Sequence, residues 1–139
     1  MIYLRIINRT RDRVLGSRVG LADAVWTRVR GLLGRPRPRH GEGLMLNPCR
    51  AVHTLGMSYP IDVIFLDRDG RVVALYPELR PGRFTAWHSR ATFALEVPPG
   101  TIAASGTAPD DRVAWQPTEL TASGAAAPGL PVIDEPVRE

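Results

Sequence analysis

Cys49, His53 and Met57 recur at intervals of four, and Asp62 follows inside an apolar run. On one helical face, Cys49, His53 and Met57 would present a thiolate, an imidazole and a thioether, a soft donor set suited to copper(I). Pro48, Gly56 and Pro60 interrupt any such helix, so the spacing loses its geometry. The chain also lacks the paired Cys-x-x-Cys spacing of structural zinc sites, and neither a metal nor another cofactor is expected. Cys49 and His53 could instead act as nucleophile and base, with Asp62 orienting the imidazole. That chemistry requires an activated thiolate within reach of the ring. No glycine elbow precedes Cys49, and nothing in the spacing fixes the distances. The plainer account makes Cys49 a small buried hydrophobe and Met57 a filler of an irregular gap.

Asp62 is the most informative of these residues. It sits within Ile61-Asp62-Val63-Ile64-Phe65-Leu66, where a carboxylate is costly unless paired or hydrogen-bonded. The expected partners are His53, Thr54, Arg30 or the backbone amides of the turn at 47–49. Two roles follow: a latch that ties loop to strand, or an acid facing a ligand. In the second case Arg30, His53, Thr54, Met57, Asp62 and Trp87 would bound a pocket. Met57 and Trp87 would form its apolar walls, and the polar groups would orient the occupant.

The elements that must position these residues are mostly short strands. Residues 61–66 are apolar on both faces, as in a covered strand. Asp67-Arg68-Asp69-Gly70 is a turn signal, and Val72 to Tyr76 returns as the antiparallel partner. Phe93, Leu95 and Val97 alternate with Ala94 and Glu96, so the first set is predicted to face inward and Glu96 outward. Further strands are expected at 2–7, at 14–21 with a break at Gly16, at 44–46, at 101–104 and at 112–115. Residues 51–54 read as a strand or a broad turn. One helix is predicted over about 24–33, capped by Asp23 and stopped by Gly34 and Pro36. About eight short strands with one helix packed on them predict a mainly β protein, a small closed or nearly closed barrel. Residues 1–116 form the expected domain. Residues 117–139 are rich in Ala, Gly and Pro without periodicity, and are predicted to be largely disordered.

The ordered run Arg30-Gly31-Leu32-Leu33-Gly34-Arg35, Gly41-Glu42-Gly43-Leu44-Met45-Leu46, Cys49, His53-Thr54, Gly56-Met57 and Pro60 to Asp67 resembles the bacterial and archaeal family known as domain of unknown function 192. The resemblance continues through Gly70-Arg71-Val72-Val73 and Leu95 to Gly100, and covers roughly residues 10–115. It implies a compact, mostly β fold with a short helix, and it implies no activity.

Composition narrows the function classes. Hydrophobic residues make up 44% of 139 residues, a share that supports a core. No apolar run is long enough to cross a bilayer as a helix. No leader pattern opens the chain, which favours the cytoplasm. A single cysteine precludes an intrachain disulfide. All 18 basic residues are arginine, and the formal charge is +4. Residues 117–139 carry a net −3, leaving +7 on residues 1–116. A basic body attracts anions. Between Thr27 and His40, however, the arginines are accompanied by neither a phosphate-cradling glycine loop nor interleaved aromatics. Specific nucleic-acid recognition is therefore not expected. The favoured function is a non-catalytic domain binding a small molecule or an anionic partner. A cysteine–histidine enzyme, performing hydrolysis or thiol chemistry, and a purely structural interaction module are the alternatives. Oligomeric state and ligand identity are not encoded in any recognisable pattern.

Overall fold

A computed structural model of the chain describes residues 2–22 and 36–118. The expected helix at 24–33, with Arg30, and the tail from 119 onward lie outside the described residues. In chain order the elements are β1 (Tyr3–Asn8), β2 (Arg13–Ala22), β3 (Glu42–Leu46), β4 (Ile61–Leu66), β5 (Val72–Leu79), β6 (Phe93–Val97), α1 (Thr101–Ser105) and β7 (Val113–Pro117). The seven strands form one sheet in the order β5-β4-β6-β3-β2-β1-β7. Neighbours are antiparallel except β2 and β3, which run parallel.

The doubly apolar run at 61–66 does become a central strand, buried along its whole length. Its hairpin with β5 forms as predicted. Asp67 Oδ1 accepts the backbone N–H groups of Asp69 and Arg71, both at 2.9 Å, and Gly70 takes a left-handed φ of 85°. The two faces of the sheet carry separate apolar clusters. On the inner face Ile64, Leu66, Phe93, Leu95 and Val97 meet Leu4, Ile6 and Trp115. The Phe93 and Trp115 rings meet edge to face with centroids 5.1 Å apart, a favoured aromatic geometry. On the outer face Ile61, Val63 and Phe65 meet Leu44, Leu46, Val52 and Tyr59.

Three expectations are corrected. The described residues form seven strands rather than about eight, and the sheet is a curled, open half-barrel rather than the closed or nearly closed barrel expected. Among the described residues its edges are joined where Val113 N–H donates to Gly70 O at 2.8 Å, Val72 N–H donates to Asp111 O at 2.9 Å and Asp110 N–H donates to Val72 O at 2.9 Å. Residues 101–105 are helical, not extended. The Ile102 N–H in the first turn finds its acceptor on a distant strand, an arrangement that local pattern cannot show. Residues 13–22 form one strand, although its register with β1 shifts on each side of Gly16. A Cβ at Gly16 would lie 2.5 Å from Val19 Cγ2, so the glycine permits close packing and does not end the strand.

A polar latch secures the seam from below. Asp111, 4% exposed, accepts hydrogen bonds from Arg11 Nε at 2.9 Å, Asn8 Nδ2 at 3.0 Å and Ala108 N–H at 2.9 Å. Burial pushes its carboxyl up, but these donors together with the Arg11 charge outweigh that and hold it below the ordinary value. Since the folded value lies below the unfolded one near 3.8, the stabilisation is complete above that pH and fades as pH falls through the folded value. Urea unfolding should therefore show an acid-side loss below about pH 4 that is reduced in Asp111→Asn. An identical acid limb in both proteins would remove Asp111 from the account.

Candidate functional site

Asp62 is fully buried, and its charge is met by backbone amides. Oδ1 accepts from Glu78 N–H at 2.8 Å and Gly100 N–H at 3.3 Å, and Oδ2 accepts from Ile102 N–H at 2.8 Å. Gly100 is the N-cap of α1 and Ile102 lies in its first turn, the Thr101 N–H between them donating to Pro98 O at 3.3 Å; the N-cap residue supplies no side-chain hydrogen bond. Asp62 thus caps a helix from another element and ties the end of β5 to it. Of the expected partners that lie in the described residues, His53, Thr54 and the amides of the turn at 47–49, none is among these donors. The reason is the pleat: Ile61, Val63 and Phe65 point to the outer cluster, so Asp62 points inward with Ile64 and Leu66.

The histidine-bearing loop lies against the opposite face, where Cys49, Val52, Met57 and Tyr59 join the outer cluster. The sheet itself therefore stands between Asp62 and His53. Cys49 Sγ donates to Ala51 O at 3.1 Å. His53 Nδ1 accepts the Leu55 N–H at 3.2 Å, and its ring tilts against Phe84 with centroids 6.1 Å apart. The thiol and the imidazole are each directed to partners other than one another. Met57 is half-buried and Trp87 is exposed. Among the described residues, no group of three or more His, Cys, Asp or Glu could hold a metal ion.

Thr54 is where the sequence expectation gains structure. It is fully buried, and its hydroxyl donates to Arg80 O at 2.6 Å while accepting Arg83 N–H at 2.8 Å. Its own N–H donates to Arg83 O at 2.8 Å, and Gly82 N–H donates to its carbonyl at 2.9 Å. The pairing continues through the bridge between His53 and Phe84. Thr85 N–H donates to Val52 O at 3.0 Å and His88 N–H donates to Arg50 O at 2.8 Å. Residues 50–54 and 83–88 are thereby fastened into an irregular antiparallel ribbon over the outer face.

This ribbon displays Trp87, expected from the sequence as a pocket wall, together with Phe84 and Leu55, which the sequence did not single out. Phe84 is 68% exposed and Trp87 69%, with Leu55 at 43%. Beneath them Tyr76 Oη and His88 Nε2 share a hydrogen bond of 2.7 Å, and the His88 ring lies against Phe65 with centroids 4.7 Å apart. Residues 47–60 and 77–92 carry Arg50, Arg80, Arg83 and Arg90 against the single acid Glu78. All four arginines are exposed. The arrangement offers aromatic surface beside positive charge, with its backbone already ordered. Phe84 carried no periodic signal because an aromatic within Pro81-Gly82-Arg83-Phe84 reads only as loop. Glu96 does lie on the face opposite Phe93, Leu95 and Val97 but is 3% exposed rather than solvated.

Comparison with known proteins places this geometry in a group. A family model described as an uncharacterized ACR, domain of unknown function 192, matches residues 6–115. A UPF0127 protein of Thermococcus sibiricus is 33% identical over 118 residues, covering 82% of this chain and 76% of the relative. Another from Pyrococcus furiosus is 34% identical over 115 residues, covering 79% and 97%. Among solved structures, a protein of unknown function from Novosphingobium aromaticivorans aligns with a TM-score of 0.70 at 22% identity, covering 81% of this chain and 84% of that one. A protein provisionally described as a transcription regulator from Sinorhizobium meliloti aligns with a TM-score of 0.67 at 24% identity, covering 81% and 95%. At these identities the two structures share the fold.

Proposed function

Since the chain belongs to the family known as domain of unknown function 192, we propose that it is a non-catalytic binding module whose ribbon over 50–54 and 83–88 receives an acidic, apolar-bearing segment of a partner protein. One observation carries this reading: two large aromatic side chains, Phe84 and Trp87, stand in solvent on backbone that is hydrogen-bonded into place. Exposed apolar residues that cluster mark interaction surfaces, and aromatic residues with arginine supply most binding hot spots. A preordered loop avoids much of the entropic cost of association. The excess of arginine over acid on the same two segments selects for negative charge in the partner and speeds encounter.

A peptide library panned against the full chain tests this. Selected sequences should place Asp or Glu beside Leu, Ile, Val or an aromatic residue. The double variant Phe84→Ser, Trp87→Ser should bind them at least about tenfold more weakly, the loss of one to two hot-spot contacts. Its urea midpoint should stay close to that of the parent, because both side chains are already exposed. Failure to select any peptide, or equal binding by the variant, would remove the basis for the proposal.

A further inference from the structure

The seam where the two sheet edges meet contains an electrostatic anomaly. Arg71 and Arg112 form an antiparallel bridge. The flanking bonds, Val113 N–H to Gly70 O and Val72 N–H to Asp111 O, show that this is the non-hydrogen-bonded kind of pair. In such a pair the Cα atoms approach to about 4.5 Å and the side chains emerge on one face. Like charges directly opposite one another destabilise a sheet. Both arginines are exposed, and with Arg68 and Arg90 they line a cleft of about 520 Å³. None of these four guanidinium groups makes an ion pair with a described carboxylate.

We propose that this cleft is a binding site for a compact oxyanion of the phosphate class, held between Arg71 and Arg112. A planar guanidinium matches phosphate oxygens two at a time, and two of them converging from opposite strands give a bridging anion a partner on each edge. The aspartates of the cleft sharpen the choice of ligand. Asp67 Oδ1 is already turned to the N–H groups of Asp69 and Arg71. Asp69 and Asp110 complete the lining and repel an extended polyanion, so a phosphate or pyrophosphate fits where a nucleic-acid backbone does not. The site shares Arg90 with the charged surround of the aromatic ribbon but contains neither Phe84 nor Trp87. Its occupant joins the start of β5 to the start of β7 and so tightens the bridge between the edges of the open half-barrel.

Thermal unfolding of the full chain in sodium phosphate, sodium pyrophosphate and sodium chloride at matched ionic strength provides the test. The parent should show a saturable rise in midpoint in both phosphate salts, accompanied by broadening of the phosphorus NMR signal. Arg112→Gln and Arg71→Gln should each melt at the same temperature as the parent or higher in chloride, because the like-charged pair is gone. Each should also lose the phosphate-specific rise and the broadening, while Arg37→Gln retains both. A midpoint that rises linearly with concentration and equally in Arg112→Gln is the general stabilisation by excluded salts, and overturns the proposal. So does a parent with no response beyond that in chloride.

Discussion

Asp62→Ala is expected to lower unfolding free energy by about 3–5 kcal/mol, the cost of stranding three amide donors that face a buried carboxylate. The donors come from Glu78, Gly100 and Ile102, and no other side chain caps α1. Against a total stability of roughly 5–15 kcal/mol, the loss shows as a large shift in the urea midpoint. Asp62→Asn should cost less, about 1–3 kcal/mol, since one oxygen still accepts while the new amide group confronts an N–H donor. In that variant the Ile102 amide, or those of Glu78 and Gly100, should exchange with solvent faster. The alternative role, an acid facing a ligand, predicts the reverse: near-normal stability in Asp62→Asn. A midpoint equal to that of the parent would refute the latch.

How much of this was legible follows from the range of the interactions. The hairpin of β4 and β5 was readable because everything that specifies it is local: an apolar run, an Asp whose carboxylate gathers its own turn, and a glycine in the left-handed region. The need to satisfy Asp62 was equally readable, since a carboxylate among Ile61, Val63 and Ile64 must find donors. The identity of the donors was not, because they lie 16, 38 and 40 residues away and belong to an end of the sheet that exists only after folding. The pleat then settled the rest. Asp62 directly follows Ile61, and that single step puts it on the face opposite His53 and Met57. Thr54 was named for its chemistry and proved to matter for its burial. Its contacts to Arg80 and Arg83 hold out Phe84, whose importance lies in exposure, a property that residue type alone does not reveal.

Gly70→Ala is the second substitution with a large expected effect, about 3 kcal/mol or more, because two separate penalties coincide. The residue has φ +85°, and a left-handed conformation costs an L side chain about 1–2 kcal/mol. A Cβ there would also lie 2.1 Å from Val113 O and 3.3 Å from Trp115 Cζ3. The first of these is a backbone atom and cannot rotate away. Relief requires β7 to move back from the hairpin, and that movement stretches the bond from Val113 N–H to Gly70 O that bridges the half-barrel. Gly82→Ala supplies the internal control, having φ +78° with nothing within 4 Å of the added carbon. It bears only the conformational penalty, about 1–2 kcal/mol. Urea unfolding of the two variants side by side thus isolates the steric part, and equal losses would mean that the seam yields without resistance. A larger loss in Gly70→Ala, with faster exchange of the Val113 amide, would show that the edges of the sheet are held together at this point by close backbone contact.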